Sequence, residues 1–181
     1  MLGDSITERW QDREGESVWR DRIAPLGVLN AGIDGDRTEH LLWRLDHGNL
    51  AGPAPQAVIL LIGTNDLGHG RPPALAAEGI RADLLRLRAR VPQTRILLLG
   101  LLPRERAPDA PLRREVGEVN RLVSTCGDGK SVVYADIGGV LLDPSGLLPP
   151  AISPDQLHFT AAGYARLAPP LGGLIGKVLG Q

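Results

Sequence analysis

Short, continuously apolar runs alternate along this chain with longer stretches in which apolar residues recur every three or four positions. The strongest runs are 57–62 and 95–102, with shorter ones at 131–135 and at 26–29. A segment that is apolar at every position is typical of a strand in a parallel sheet, because such a strand is buried on both faces. The pattern therefore predicts four buried strands.

The stretches between these runs show the spacing of amphipathic helices. They are 38–45, 80–91, 112–123 and 164–178. Pro92 ends the second predicted helix, and Pro111 suits the first turn of the third. Thr160 is a suitable N-cap for the last helix, and Pro169-Pro170 should kink that helix or delay its start.

Alternating strands and helices indicate an α/β fold with a parallel sheet, and the length predicts one domain over residues 1–181. Ligands of such sheets bind outside the carboxyl ends of the strands. Gly35 follows the predicted strand 26–29, and Asn65 follows the predicted strand 57–62. We therefore expect these two residues to lie on one rim.

Composition excludes several classes of protein. Lys plus Arg is 20 and Asp plus Glu is 21, and only 3% of the residues are aromatic. A net charge of −1 favours neither nucleic acid nor an anionic membrane, and so few aromatic residues make base stacking improbable. A single cysteine, Cys126, allows no intrachain disulfide. No apolar run reaches membrane-spanning length and no signal peptide is present as written, so a cytoplasmic location is expected.

Two blocks near the ends of the chain carry the candidate chemistry. Ser5 lies in Gly3-Asp4-Ser5, and Asp155 stands three residues before His158. They supply the nucleophile, the base and the group that orients the base in a serine hydrolase. Gly35 and Asn65 lie between them and could donate hydrogen bonds to an oxyanion.

Each of these residues also has a simpler interpretation. Ser5 could be a turn or capping serine, and Asp155 could cap a helix or a turn. Asn65 could cap the helix that follows it, while Gly35 could be needed only for a positive φ. The functional interpretation rests on the combination of blocks rather than on any one of them.

Acidic residues cluster in the same segments, so a metal site has to be considered. They are Asp4, Asp34, Asp36 and Asp66. Their spacing matches no familiar metal-binding pattern, and we expect neither a metal nor a cofactor.

The order of the blocks resembles the SGNH, or GDSL-type, hydrolase superfamily. Further segments are similar to the catalytic subunits of intracellular platelet-activating-factor acetylhydrolase, and the similarity covers nearly the whole chain. These segments are Asn30–Thr38, His40–Leu45, Leu99–Arg104, Leu157–Thr160 and Gly163–Ala165. The resemblance implies a three-layer, flavodoxin-like fold and hydrolysis of an ester without a cofactor.

Under that resemblance, the backbone N–H groups of Ser5 and Gly35 and the amide of Asn65 bind the oxyanion. Ile6 and Leu157 flank the acyl group, and their bulk favours a short, acetyl-like chain. The substrate is then a small-molecule ester. A thioesterase, a lysophospholipase, a carbohydrate deacetylase and a non-catalytic binding module remain alternatives, and a homodimer is an open option.

One feature departs from the family pattern. In that family a buried central strand precedes the Gly-Asp-Ser block, whereas only Met1 and Leu2 precede Gly3 here. Two residues are too few for such a strand, so we expect a truncated or misassigned start. Missing upstream residues could include an export signal. The other interpretation is an intact chain with a shortened strand.

Overall fold

Five parallel strands form one sheet in the computed structural model, which describes residues 1–12 and 14–180. The strands are β1 (Leu2–Gly3), β2 (Ala31–Gly32), β3 (Ala57–Leu61), β4 (Arg95–Leu99) and β5 (Val132–Ala135). Their order, β2-β1-β3-β4-β5, is the flavodoxin-like order. The predicted fold class is confirmed.

Helices cover both faces of the sheet. They are α1 (Ser5–Glu8), α2 (Glu16–Val18), α3 (Thr38–Asp46), α4 (Thr64–Gly68), α5 (Pro73–Arg90), α6 (Pro111–Ser124) and α7 (Ala161–Leu179). Helices α3, α5 and α6 pack in succession, whereas α7 packs on α2. No helix within residues 1–12 and 14–180 combines the length and the apolar character needed to cross a membrane.

Most predicted elements are found, with shifted ends. Strands β3 and β4 are buried along nearly their whole length, as their uniformly apolar sequences predict. Pro111 occupies the first turn of α6, and the Thr160 hydroxyl accepts a hydrogen bond from the N–H of Gly163 at the start of α7. The start of α7 is not delayed, since the helix begins at Ala161 and continues through Pro169 and Pro170.

The predicted strand at 26–29 is wrong. Its segment ends a short helical turn and then runs without regular structure, and the side chain of Leu29 is 84% exposed. On this side of the sheet β1 pairs Leu2 with Ala31 and Gly3 with Gly32, so the strand that follows residues 26–29 is β2. The only backbone hydrogen bond from this side of the sheet to residues 26–29 in the described structure is the one from the amine of Met1 to the carbonyl of Leu29, and it does not extend the pairing.

The structure contains the central strand in shortened form. Leu2–Gly3 pairs with β2 on one side and with Leu60 and Leu61 on the other, and the strand is only two residues long, as the predicted truncation of the first strand requires. Beside it lies a cavity of about 610 Å³, lined among others by Leu29, Val58 and Leu179. The candidate functional residues do not line this cavity.

Candidate active site

Ser5 is the first residue of α1, directly after the central strand. The Asp4 carboxylate caps this helix by accepting a hydrogen bond from the N–H of Ile6 at 3.0 Å. A side chain at Gly3 would collide with the carbonyl oxygen of Leu61 and with Thr7, so the close packing at the end of β1 requires glycine. The strand-to-helix turn thus fixes Ser5 at the carboxyl edge of the sheet.

One loop before α7 holds Asp155 and His158 together. Oδ1 of Asp155 accepts the backbone N–H groups of Leu157 at 3.0 Å and of His158 at 2.7 Å. Oδ2 of the same carboxylate lies 2.7 Å from Nδ1 of the His158 ring. Gln156, the residue after Asp155, has a φ of 67° and so lies in the left-handed region. A single carboxylate therefore fixes both the backbone and the ring of the histidine.

The tautomer of the neutral ring follows from these contacts. Partial burial acts to raise the pKa of Asp155, but the hydrogen bonds from the His158 ring and from the backbone outweigh it, so the pKa lies below its ordinary value. An ionised carboxylate only accepts hydrogen bonds, so Nδ1 carries the proton. In the neutral ring Nε2 is then the acceptor, and it lies 2.9 Å from Oγ of Ser5. The hydroxyl, imidazole and carboxylate form one continuous chain.

Gly35 lies in a tight turn after β2. The N–H of Asp36 donates to the carbonyl of Ile33 at 3.2 Å, and the φ of Gly35 is 75°. A side chain there would meet no other atom, so the backbone conformation rather than space favours glycine. Within the described residues, the N–H groups of Gly35 and Ser5 donate to no other residue. Both remain available to a ligand.

Asn65 follows β3 and belongs to the first turn of α4. The N-cap of that helix is Gly63, so the simpler interpretation of Asn65 as a cap is wrong. Nδ2 of Asn65 donates to the backbone carbonyl of Asp36 at 2.9 Å. Because an amide nitrogen carries two hydrogens, one N–H remains for a further acceptor. The structure thus links Asn65 to the turn that contains Gly35.

The two residues predicted to flank the acyl group differ in exposure. Ile6 is only 2% exposed and belongs to the hydrophobic core. Its carbonyl accepts a hydrogen bond from the buried hydroxyl of Tyr164 at 2.9 Å. Leu157 is half-buried and packs against the same core. Their role in acyl selection stays a prediction.

Two of the four clustered acidic residues, Asp36 and Asp66, form ion pairs with arginines. Oδ2 of Asp36 lies 2.6 Å from Nη2 of Arg44. Asp66 is fully buried and accepts from the backbone and the hydroxyl of Thr38 and from Arg71. In residues 1–12 and 14–180, no group of three or more His, Cys, Asp or Glu residues is arranged to hold a metal.

Sequence reasoning missed Arg44 as a partner in the site. A usable signal exists, because Arg44 falls on the same helical face as Leu41 and Leu45, which the apolar spacing assigns to the core. An arginine on such a face requires a buried acceptor. The acceptor itself could not be identified from local spacing.

Asp4 has an unusual environment beside the nucleophile. It is 1% exposed, and burial raises its pKa to about 7 despite the hydrogen bond from Ile6. The nearby charges of Asp36 and Asp66 raise the pKa further. The N-cap of α1 therefore includes a carboxyl group that titrates near neutral pH.

Comparison with known proteins gives consistent matches. The model of the GDSL-like lipase/acylhydrolase family matches residues 1–166. Platelet-activating factor acetylhydrolase IB subunit alpha2 of Rattus norvegicus is 37% identical over 99% of this chain and 76% of its own length. The human alpha1 subunit is 36% identical over 100% of this chain and 76% of its own length.

Solved structures agree with this fold. A putative platelet activating factor from Streptococcus pneumoniae has a TM-score of 0.80 and 28% identity, covering 96% of this chain and 81% of its own. A catalytic mutant of an acetylxylan esterase from Geobacillus stearothermophilus has a TM-score of 0.76 and 24% identity, covering 97% of this chain and 92% of its own. The latter identity is low enough that the likeness supports the fold alone.

Proposed function

This chain belongs to the GDSL-like lipase/acylhydrolase family and is a carboxylic ester hydrolase, and we propose that it cleaves short-chain, acetyl-like esters through Ser5, His158 and Asp155. The observation that carries the proposal is the hydrogen-bond chain from Oγ of Ser5 through the His158 ring to Asp155. It brings together residues 153 positions apart in the sequence. It also has the order of groups that activates a serine hydroxyl.

In this mechanism Oγ of Ser5 attacks the ester carbonyl while Nε2 of His158 takes the hydroxyl proton. The resulting imidazolium gives that proton to the leaving alcohol, and the acyl group remains on Ser5. Water then attacks the acyl-enzyme with His158 again acting as base, and the acid leaves as Ser5 recovers its proton. Asp155 orients the ring and stabilises its charged form throughout.

The developing oxyanion would be bound by three donors. These are the backbone N–H groups of Ser5 and Gly35 and the second N–H of the Asn65 amide. The first two donate to no other described residue, and the third is oriented by its neighbouring hydrogen bond to Asp36. Donors fixed before the reaction lower the barrier without reorganisation.

A short acyl group is supported by two observations. Ile6 and Leu157, both with branched side chains, are the sequence neighbours of the nucleophile and the base, and the similar mammalian subunits are described as acetylhydrolases. Each clashing methylene costs about 1–3 kcal/mol, so the preference should be graded. We therefore expect kcat/KM to fall from acetyl to butyryl to octanoyl esters.

Hydrolysis of nitrophenyl acetate, butyrate and octanoate by the wild type and by Ser5→Ala tests the proposal. We expect activity that depends on Ser5 and is greatest for acetate. An optimum at octanoate would favour a lysophospholipase or a thioesterase. Hydrolysis that survives in Ser5→Ala would reject Ser5 as the nucleophile, and absence of hydrolysis in the wild type would favour a binding module.

We further propose that residues 1–181 act as one domain without a metal or a cofactor. Activity that is unchanged by EDTA and by dialysis supports this proposal. Inhibition by EDTA that a divalent ion restores would overturn it. A cytoplasmic location and the oligomeric state stay predictions.

A further inference from the structure

The Arg44 guanidinium contacts both strands that lead into the candidate active site. Nη1 donates to the carbonyl of Ala31 in β2 at 3.0 Å and to Oδ1 of Asn49 at 3.2 Å. Nη2 donates to the carbonyl of Gly3 in β1 at 3.3 Å and lies 2.6 Å from the Asp36 carboxylate. Three hydrogen-bond acceptors and one paired carboxylate, from four segments, therefore meet at one side chain, which is 11% exposed.

Asp36 extends this contact to the remaining oxyanion donors. Its carboxylate faces Arg44, while its backbone carbonyl accepts the Asn65 amide at 2.9 Å. It also closes the turn that contains Gly35. Gly3 in turn stands two residues before Ser5. Every segment that carries a proposed oxyanion donor therefore touches the pair formed by Asp36 and Arg44.

The chemistry of this pair suits positioning better than stability. Replacing a buried ion pair by apolar residues is often neutral or even stabilising, so the pair is weak evidence for a stabilising role. A planar guanidinium with five fixed donors can hold several carbonyls in one geometry, which a lysine ammonium cannot reproduce. Neither side chain takes part in the hydrogen-bond chain of Ser5, His158 and Asp155.

We infer that Asp36 and Arg44 are positioning residues that set the relative placement of the three oxyanion donors. This inference rests on the proposed function. The pair acts on the transition state through Asn65 and Gly35 and does not touch the substrate. Loss of the pair should therefore lower kcat and leave KM nearly unchanged, since the ester itself is bound elsewhere.

The test is a double-mutant cycle on nitrophenyl acetate hydrolysis with Asp36→Asn and Asn65→Ala. Asp36→Asn keeps the size of the side chain and removes its charge. Misplacing reacting groups by about 1 Å can cost about 100-fold, so we expect Asp36→Asn alone to lower kcat about 10–100-fold. In the Asn65→Ala background the same substitution should cost clearly less than in the wild type, because one of the donors that the pair positions is already gone and only the effect through Gly35 and Ser5 remains.

Arg44→Lys and Arg44→Gln provide the second arm. We expect kcat losses comparable to that of Asp36→Asn in both, since lysine cannot replace the fork of donors. Arg90→Gln is the matched control, because Arg90 forms an exposed pair with Asp46 at 3.0 Å, away from the site. Its kcat should stay within about twofold of the wild type, as expected for a surface pair.

Each outcome decides whether Asp36 and Arg44 position the oxyanion donors or only stabilise the fold. Equal losses of kcat with and without Asn65, or a loss below threefold in both Asp36→Asn and Arg44→Gln, would overturn the inference. If Arg44→Gln does not fold, Asp36→Asn and Arg44→Lys still decide, with thermal melting as the check. Hydrolysis that is independent of Ser5 would instead reject the proposed function, so the two failures are distinguishable.

Discussion

The acid–base half and the oxyanion half of the candidate site are constructed differently. Asp155 and His158 lie three residues apart in one loop, and the Asp155 side chain is 52% exposed. Gly35 lies in the turn after β2 and Asn65 in the first turn of α4 after β3, and the pair of Asp36 and Arg44 that connects them is about one-tenth exposed. The first half depends on local geometry, whereas the second depends on the packed sheet and helices.

Because of this difference, substitutions in the two halves should affect activity and stability in different proportions. The contacts between Asp155 and His158 are local to one loop, and the Asp155 side chain is half-exposed, so substitutions of these two residues should inactivate with little loss of stability. Substitutions in the oxyanion half disturb buried polar contacts, so they should lower activity and stability together. The following experiments test this contrast in order of decreasing effect.

Ser5→Ala and His158→Ala should cause the largest losses. Members of a triad act as one unit, so each single variant and the double variant should lose a similar amount, about 10⁴–10⁶ in kcat. Steady-state kinetics on nitrophenyl acetate measure this directly, with melting curves to confirm that His158→Ala keeps the wild-type Tm. If the two losses multiply, the residues do not share one mechanism.

Asn65→Ala should have the next largest effect. Loss of one oxyanion donor lowers kcat by about 10²–10³ with little change in KM, because the donor matters most in the transition state. We also expect a lower Tm, since the carbonyl of Asp36 loses its partner. A variant in which KM rises while kcat holds would make Asn65 a substrate-binding residue.

Leu157→Ala and Ile6→Ala should change acyl-chain preference by smaller factors. Leu157 is only half-buried, so its truncation should flatten the order from acetate to octanoate and leave Tm nearly unchanged. Ile6 is 2% exposed, and its truncation should cost about 2–5 kcal/mol of stability as well. An unchanged chain-length profile in both variants would show that other residues limit the acyl group.

The buried carboxyl group of Asp83 should make the stability of the protein depend on pH. It is fully buried on α5, and neither carboxylate oxygen has a partner among the described residues, whereas the equally buried Asp66 has three donors. Burial, assisted by the charge of Asp66, raises the pKa of Asp83 to about 8. The folded state therefore holds a proton that the unfolded state releases near its ordinary pKa of 3.8. Stability from this site falls as the pH rises from about 4 to about 8.

Asp83→Asn cannot ionise, so the variant should gain Tm relative to the wild type as the pH rises from 5 to 8.5. Differential scanning fluorimetry at several pH values measures the difference between the two proteins. Asp21→Asn is the control, because the Asp21 side chain is 61% exposed. A Tm difference that does not vary with pH would show that Asp83 does not titrate in this range.

Local patterns in the sequence predicted much of the fold. The uniformly apolar runs located β3 and β4, and the helical spacing located α3, α5 and α6, although α5 begins seven residues earlier than the pattern indicated. The order of the polar blocks predicted Ser5, Asp155 and His158, which the structure brings within hydrogen-bond distance. These predictions work because side-chain periodicity and short loop motifs are local properties.

Tertiary structure alone decided the rest. Residues 26–29 are apolar enough for a strand, yet the strand in this part of the sheet is Ala31–Gly32. The contact between Asp36 and Arg44 likewise could not be predicted from the sequence, because many carboxylates and arginines could pair. A strand requires a partner for its backbone and a buried charge requires a counter-charge, and only the packed fold determines which groups meet.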